Sequence, residues 1–303
     1  MKYYLKILLP VITSFLFIFC SNIEPKEVKK TQKRKVNDFK KHPNFNAYWY
    51  KGKAEITSYK LSQVRYGETY EGTAVNIFVT ENFLPEKQVK ADYDNDNNIP
   101  VLKLNNTKKF VTGIYPYSLM TSTFSPINTN KEAIKISFSA QEWCGNTFVQ
   151  LNNREKFQID FHSYFETNAD QKITLEKNIL ENELWNQLRI SPENLPLGNH
   201  LIVPSFEYLA LNHQKIKSYK ATATLKEEGH LSKYIIHYPE LKRTLIIKFT
   251  KEFPYTIESW EEKSVQRGKT LTTKAEKIKT IKSAYWSKNG VTNINERKEL
   301  GLY

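Results

Sequence analysis

The chain has 303 residues, 40% of them hydrophobic, and a formal net charge of +13. Beyond the N-terminal segments described next, its length suits one large β domain, and that domain contains only Cys144, which excludes an intramolecular disulfide there. The positive charge alone would suit a nucleic acid, but the sequence contains no basic helix or aromatic-basic motif of a known nucleic-acid module, so we expect no such partner.

Residues 1–19 have the pattern of an export signal. Lys2 and Lys6 form a short positive region, and residues 7–19 are uncharged and mainly apolar. This stretch is shorter than the roughly 20 apolar residues of a membrane-spanning helix, but it suits the core of a signal peptide. Cys20 follows directly, and LFIFC at 16–20 resembles a bacterial lipoprotein signal. Since Phe19 stands where that pattern has a small residue, an uncleaved anchor helix and an ordinary signal peptide remain open as alternatives.

Residues 20–41 are predicted to be a disordered basic tether, with eight lysine or arginine residues against three acidic ones and little apolar surface to bury. One acyl chain binds a membrane marginally, and neighbouring basic residues add to that binding. We therefore expect the mature protein outside the cytoplasm in the cell envelope, held to the outer or inner membrane by a lipid such as palmitate on Cys20. A solvated linker whose charges bind nothing specific is the alternative.

Residues 42–303 are predicted to form a single β-rich domain. Hydrophobic and polar side chains alternate in 133–141, 157–162, 219–226 and 245–249. This alternation is typical of strands with one buried face and one exposed face, which favours antiparallel sheets. Less regular strands are predicted at 48–62, 73–81, 100–112, 116–127, 232–239, 254–262 and 270–286. Turns are predicted at Tyr66-Gly67, Glu71-Gly72, Gly145-Asn146, Asn152-Asn153 and Glu228-Gly229, with a two-residue hairpin turn at Gly145-Asn146.

One helix is predicted at 174–189, where Thr174 can cap the start and Ser191-Pro192 ends it. Its apolar stripe consists of Leu180, Leu184 and Leu188. The segment 192–216, rich in Pro and Gly, is predicted to be a crossing connection. The expected fold is therefore mainly β, a curved antiparallel sheet or open barrel with one amphipathic helix packed on its concave side. Such curvature creates a cavity that either side chains or a ligand can fill.

Cys144 is the most obvious candidate nucleophile, because a lone cysteine can act with a histidine elsewhere in the chain. Asp160 and His162 are two residues apart on the polar face of one strand, so a Cys144–His162–Asp160 triad can be drawn. If the strand that contains Ile134 and Phe138 continues, however, Cys144 shares their face and points into the core, where a cysteine behaves as a small hydrophobic side chain. We therefore assign no catalytic residue.

No metal or cofactor site is predicted. Residues 92–98 resemble the start of a calcium loop, but Asn97 and Lys103 stand where an EF-hand needs Gly and Glu, so a polar loop is expected. The six histidines have neither an HExxH motif nor a paired spacing with cysteines, which gives no support to a zinc site.

Aromatic residues form clusters in or beside the predicted strands. The clusters are Tyr48-Trp49-Tyr50, Tyr115-Pro116-Tyr117 and Tyr285-Trp286. Exposed rings on a curved sheet stack on sugars or line an apolar pocket. Buried rings belong to the core, and this second interpretation is the one we favour.

Three segments, YWYKGKAE at 48–55, GIYPYS at 113–118 and QEWCG at 141–145, resemble a family of Bacteroidetes envelope lipoproteins of unknown function. The likeness extends over most of 46–290 and implies no activity and no catalytic residues. Members are often labelled "septum formation inhibitor Maf", which implies a cytoplasmic α/β nucleotide pyrophosphatase with an N-terminal Ser-x-Ser-x-Arg-Arg segment. This chain has an export signal in that place.

The sequence therefore predicts a non-enzymatic, lipid-anchored envelope protein that binds an apolar ligand, a glycan or a partner protein with its curved sheet. Two enzymatic alternatives remain open. One is a hydrolase that uses Cys144 or the face with His162 and Asp160, and the other is a Maf-type pyrophosphatase.

Overall fold

The computed structural model describes residues 40–129 and 131–302. By its contacts the chain divides into residues 1–32 and residues 33–303, and the described residues all belong to the second unit. The predicted signal peptide, Cys20 and nearly all of the predicted tether lie outside the described residues. Among the helices of the described part, none is both long and apolar enough to cross a membrane.

Sixteen strands form one curved sheet that is not closed. They are β1 Ala54–Arg65, β2 Glu68–Leu84, β3 Val89–Lys90, β4 Ile99–Thr112, β5 Tyr115–Pro126, β6 Lys135–Glu142, β7 Gly145–Asn153, β8 Phe157–Ser163, β9 Gln171–Leu175, β10 Ile179–Leu180, β11 Gly198–Val203, β12 Tyr219–Glu228, β13 Leu231–Tyr238, β14 Arg243–Thr250, β15 Ile257–Gln266 and β16 Lys269–Ser283. Their order is β10-β11-β12-β13-β14-β15-β16-β1-β2-β4-β5-β6-β7-β8-β9, and β3 pairs with β2.

Four α-helices accompany the sheet. They are α1 Phe45–Trp49, α2 Glu181–Ile190, α3 Phe206–Leu211 and α4 Ile294–Glu299. Single 3₁₀ turns lie at Pro192–Asn194, Tyr285–Ser287 and Val291–Asn293.

The sheet is a meander in which successive strands pair antiparallel, apart from the parallel contact between β10 and β11. Although β9 and β10 lie at opposite edges of the strand order, only residues 176–178 separate them in the chain. Four residue steps span at most about 14 Å. The two edges must therefore approach each other, and the sheet is curved almost into a barrel. This result confirms the predicted curved, mainly β fold.

Helix α2 packs against the buried face of the sheet. Arg189 and Glu181 of α2 pair with Glu55 of β1 and Arg243 of β14, and Asn186 donates to the Leu102 carbonyl of β4. A helix about 10 Å wide can contact strands so far apart in the sheet order only if the sheet curves around it. The prediction of a helix on the concave side is therefore correct.

Several predicted boundaries are wrong. The predicted capping residue Thr174 lies in β9, and the helix begins only at Glu181, although it ends as predicted before Ser191-Pro192. The segment 192–216 contains β11 and α3 in addition to its connections. The Tyr48-Trp49 part of the first predicted strand lies in α1.

Three predicted turns also differ. Asn152 and Asn153 are the last residues of β7, and the turn that follows consists of residues 154–156. Glu142 pairs with Gly145, so the hairpin turn between β6 and β7 is Trp143-Cys144 and not Gly145-Asn146. Glu71 and Gly72 lie inside β2. A Cβ atom at Gly72 would come within 2.3 Å of the Lys109 carbonyl oxygen, so a close backbone approach requires glycine there, and not a turn.

Candidate functional site: an aromatic rim

Two buried ion pairs join α2 to the sheet. At the C-terminal end of α2, Arg189 donates two hydrogen bonds to Glu55 of β1, at 2.6 and 2.8 Å. Tyr48 also donates to this carboxylate, and Arg189 Nε donates to the Pro254 carbonyl at 2.9 Å. A buried ion pair stabilises a fold only when its remaining polar atoms are also hydrogen-bonded. The bonds from Tyr48 and to Pro254 therefore help the pair to stabilise the fold.

At the N-terminal end of α2, Arg243 donates to both oxygens of Glu181, at 2.5 and 2.8 Å. Tyr238 donates to the same carboxylate at 2.7 Å, and Arg243 also contacts Glu262. The Arg243 guanidinium lies 4.3 Å from the ring centroid of Tyr208, in the geometry of a cation–π contact.

These buried carboxylates are structural charges. Burial opposes the ionisation of Glu55, but Arg189 and the Tyr48 hydroxyl outweigh it and hold the pKa of Glu55 below its usual value. Burial likewise opposes ionisation of Glu181, and Arg243 with Tyr238 lowers the pKa of that carboxyl. A general acid or base needs a pKa near the working pH, so neither carboxylate suits acid–base catalysis at neutral pH.

Little space remains between α2, α3 and the sheet. The cavity there has a volume of about 50 Å³ and is lined by Leu104, Trp185 and Trp260 together with polar side chains that include Lys108. One water occupies about 30 Å³ of liquid, whereas sites for small molecules measure about 300–1,000 Å³. Side chains therefore fill this part of the concave face, and any ligand of that size must bind elsewhere.

A group of aromatic side chains that includes the exposed Trp143 lies at the end of the sheet where β1, β4 and β6 finish and their hairpin turns begin. We call it the aromatic rim and define it by Tyr66, Tyr70, Tyr115, Tyr117 and Trp143. Trp143 is 68% exposed, and its ring lies 6.3 Å from that of Tyr115 at an interplanar angle of 29°. Tyr66 and Tyr70 are partly buried against the core, as is Tyr115, while Tyr117 is fully buried.

Local turns place the rim residues. Tyr66 and Gly67 form the two-residue turn between β1 and β2, with φ angles of 55° and 83°. Two successive positive φ angles are typical of the hairpin turns that match the twist of antiparallel strands. Tyr115 and Tyr117 face the same side of β5 because side chains alternate along a strand. Trp143 projects from the next turn along this end of the sheet.

The rim tyrosines share a hydrogen-bond network. The hydroxyl oxygens of Tyr66 and Tyr117 are 2.6 Å apart, and Tyr115 donates to Tyr66 at 3.3 Å. The Arg65 guanidinium lies 4.5 Å from the Tyr66 ring centroid and donates to the Leu211 carbonyl of α3 at 2.5 Å. The network fixes the orientation of the rings.

Burial raises the pKa of Tyr117, and the bond to Tyr66 raises it further. Burial raises the pKa of Tyr66, but the hydrogen bonds with Tyr115, Tyr117 and Arg65 outweigh burial and lower this pKa below its usual value. The Tyr66 oxygen accepts from Tyr115 and shares a hydrogen bond with Tyr117, so the rim offers fixed rings with polar edges.

Cys144 is exposed, contrary to the prediction that it points into the core. The strand that was expected to continue through it ends at Glu142, so the alternation no longer applies in the turn. The backbone N–H of Cys144 donates to the Glu142 carboxylate at 2.7 Å. A hydrogen bond to Glu142 also raises the pKa of the Cys144 thiol. Since the thiolate is the nucleophile, this environment opposes activation.

His162 lies in β8 as predicted, but its carboxylate partner is Asp170 at 3.3 Å. Asp160 is in the same strand, two residues before His162, and faces Gln150 and Lys172 in the neighbouring strands. The Ser163 N–H and the His162 ring lower the pKa of Asp170. The structure thus gives His162 a different acidic partner from the one in the proposed triad.

Residues 40–129 and 131–302 contain no group of three potential metal ligands. In the segment 92–98, the polar side chains bond to each other and to β2. Asn82 donates to Asp94 at 3.1 Å, Asn98 donates to Asp94 at 3.3 Å, and the Asn97 N–H donates to Asn95 at 2.9 Å.

The three predicted aromatic clusters divide between core and surface. Trp49 and Tyr117 are buried, whereas Tyr50 and Trp286 are exposed. The core interpretation is thus correct for only part of each cluster. Trp143, the most exposed ring of the rim, was noted in the sequence only as part of a resemblance, because no local pattern distinguishes a tryptophan at a hairpin tip from one in a strand.

Comparisons with protein-family models, with curated proteins and with solved structures give no match for this chain.

Proposed function

We propose that the protein is a non-enzymatic lipoprotein of the cell envelope that binds a glycan with its aromatic rim. The observation that carries this proposal is the ring of Trp143, 68% exposed at a hairpin tip and aligned with the ring of Tyr115. An exposed tryptophan on a turn adds little to core packing, and its exposed face beside a second ring offers a surface on which a ligand can stack.

The chemistry of the rim favours a sugar over an apolar ligand. Aromatic faces pack against the C–H faces of sugar rings, while the polar edges of tyrosines supply hydrogen bonds. The partly buried Tyr66 and Tyr115, whose hydroxyls are hydrogen-bonded to each other, provide such polar edges beside Trp143. The cavity beneath α2, at about 50 Å³, is too small for an apolar ligand of ordinary size.

The experiment compares two tryptophan variants of the full chain in detergent. Binding to a panel of soluble xylan, mannan, glucan and chitin oligosaccharides is measured by calorimetry. Trp143→Ala is expected to weaken binding at least about tenfold, because truncation of one central aromatic contact typically costs 2 kcal/mol or more. Trp286→Ala removes a half-exposed tryptophan outside the rim and serves as the matched control. Failure of every glycan to bind, or equal losses in both variants, contradicts the proposal; capture of a protein through Trp143 would favour a protein partner.

The membrane anchor is tested on the two cysteines of the chain. Labelled palmitate is expected to enter the wild-type protein and a Cys144→Ser variant, but not a Cys20→Ser variant, because only the thiol after the signal can accept a diacylglyceryl group. Label that enters the Cys20→Ser variant at the wild-type level would refute anchoring through Cys20.

No observation favours the enzymatic alternatives. The Cys144 thiol has a raised pKa beside Glu142. A Maf-type pyrophosphatase implies an α/β fold, whereas the described residues form one mainly antiparallel sheet. Release of pyrophosphate from nucleoside triphosphates would revive that alternative.

A further inference from the structure

A second group of aromatic side chains lies next to the aromatic rim, at the same end of the sheet. We call it the Tyr164 cluster and define it by Tyr164, Phe165, Asn168 and His213. Tyr164 is 75% exposed in the connection between β8 and β9. Its ring lies 5.9 Å from that of Phe165, which lies 5.9 Å from the His213 ring, both in edge-to-face geometry. Ring pairs in this geometry attract each other, so these contacts help to hold Tyr164 in place.

The Tyr164 ring lies directly beside the hairpin turn that carries Trp143. Gly145 follows this turn, and a Cβ atom added at Gly145 would come within 2.8 Å of Tyr164 Cδ1. The absence of a side chain at Gly145 thus leaves room for the Tyr164 ring. Because the ring of Trp143 is also aligned with that of Tyr115, the aromatic surface continues from the rim to the Tyr164 cluster.

The rim and the Tyr164 cluster combine the same kinds of chemical groups. In the rim, the Tyr115 hydroxyl donates to Tyr66 beside the exposed Trp143. In the Tyr164 cluster, Asn168 Nδ2 and His213 Nδ1 are 3.2 Å apart, and the His213 ring contacts Phe165. Each group therefore offers an exposed aromatic ring for the C–H face of a sugar and polar atoms for its hydroxyl groups.

The two groups are too far apart for one sugar ring to contact both. Tyr115 begins β5 and Tyr164 follows the last residue of β8, three strands further along the sheet. Neighbouring strands are about 4.8 Å apart, so three steps cover about 14 Å along the curved sheet. A single sugar ring covers about one aromatic ring, whereas a chain of linked sugars can reach from one group to the other.

From this arrangement we infer that the aromatic rim and the Tyr164 cluster form one extended site for a chain of several linked sugars, with one sugar on Trp143 and another on Tyr164. The inference rests on the glycan binding proposed above and specifies its ligand. That ligand is an oligosaccharide chain that lies across the hairpin turns, and not a single terminal sugar.

The test compares the disaccharide with the hexasaccharide of each series, xylan, mannan, glucan and chitin, by calorimetry on the full chain in detergent. A hexasaccharide contains about five overlapping disaccharides, so statistics alone would make it bind about fivefold more tightly. The wild type is expected to bind the hexasaccharide of the recognised series at least about twentyfold more tightly than the disaccharide. The reason is that the contact with Tyr164 becomes intramolecular once the chain is bound at Trp143.

Two tyrosine variants separate the extended site from a general loss of aromatic surface. Tyr164→Ala is expected to reduce the ratio of the two affinities to about fivefold, the statistical value. Tyr93→Ala removes a tyrosine that is 85% exposed at the opposite end of the sheet, and it should keep the wild-type ratio.

The failure of this inference is distinguishable from the failure of the proposed function. If the wild-type ratio is only about fivefold, or if Tyr164→Ala keeps the wild-type ratio, the extended site is refuted while glycan binding at Trp143 stands. If no disaccharide or hexasaccharide of any series binds, glycan binding itself is refuted, and the extended site with it.

Discussion

Lys282 of β16 lies over two aromatic rings, with its ammonium nitrogen 3.6 Å from the ring centroid of Tyr48 and 4.5 Å from that of Trp49. Burial lowers the pKa of Lys282 to about 8; Glu55 opposes this shift, and Arg189 adds to it. The charged form is therefore disfavoured in the folded state, even though the two rings attract a cation.

This shift predicts a specific dependence of stability on pH. Between about pH 8 and 10 the unfolded chain keeps the Lys282 proton that the folded chain loses, so the free energy of unfolding should rise with pH. The loss of one proton limits this rise in the free energy of unfolding to about 1.4 kcal/mol per pH unit. Because the Lys282 side chain is partly exposed, the rise should be smaller than this limit. Chemical denaturation of the wild type and of Lys282→Met would measure it.

The free energy of unfolding of the wild type, minus that of Lys282→Met, should increase from about pH 8 to about pH 10. Buried phenols such as Tyr59, whose pKa is raised by burial, lower stability above about pH 10 in both proteins and therefore cancel. If the stability curves of the two proteins run parallel between about pH 8 and about pH 10, or if the wild-type value falls relative to that of the variant, the shift does not belong to Lys282.

At the scale of elements, α2 has an unusual composition for a helix in a core. Nearly all its residues are buried, including the polar Asn182, Glu183, Asn186 and Gln187. Asn186 joins it to two strands: its amide nitrogen donates to the Leu102 carbonyl at 2.8 Å, to Ser125 Oγ at 3.0 Å and to the Thr123 carbonyl at 3.2 Å. Specific polar contacts thus fix the helix position in addition to its leucine stripe.

Replacement of Asn186 by Leu should lower the free energy of unfolding by about 1–3 kcal/mol, since it leaves buried acceptors on β4 and β5 without their donor. Asn146→Leu, at an exposed position of β7, is the control and should change stability by less than about 0.5 kcal/mol. Urea denaturation measures both. A stable Asn186→Leu protein would mean that apolar packing alone positions α2.

The helix also shows how far local patterns reach. Leu184 and Leu188 of the predicted leucine stripe lie in the helix, and its end before Pro192 is correct, because periodicity and proline geometry act within a few residues. Leu180, the first leucine of the predicted stripe, lies in β10 instead. Its start was wrong because residues 171–175 pair with β8 and residues 179–180 pair with β11. Whether a segment joins a sheet edge or a helix depends on a partner strand that its own sequence does not contain.

At the scale of the whole molecule, the sheet separates two surfaces with different chemistry. The aromatic rim lies at the end where β1, β4 and β6 finish. A groove of about 480 Å³, lined by residues that include Pro85, Gln88 and Arg154 and called the end groove here, lies at the end where β2, β5 and β7 finish. Because a meander alternates strand direction, successive turns fall at alternate ends of the sheet. Residues close in sequence, such as Trp143 just before β7 and Asn153 at the end of β7, thus lie at opposite ends of the sheet.

The sequence by itself predicted eleven of the sixteen strands, missing β3, β7, β9, β10 and β11, and it predicted the antiparallel, mainly β class. These features depend on side-chain alternation and turn residues within about ten positions of each other. The export signal and the lipid on Cys20 also derive from a local pattern and remain predictions, since they lie outside the described residues.

Tertiary structure alone decided the sites. The Glu55–Arg189 pair joins residues 134 positions apart, and the end groove combines loops from four parts of the chain. Tertiary structure also decided exposure. Because β6 ends at Glu142, Trp143 and Cys144 lie in the following turn at the surface, whereas a strand that continued through Cys144 would have buried its side chain. The curvature of the sheet around α2 determines which side chains contact each other and which remain in solvent. This curvature depends on all the strands together, so no single segment of the sequence encodes it.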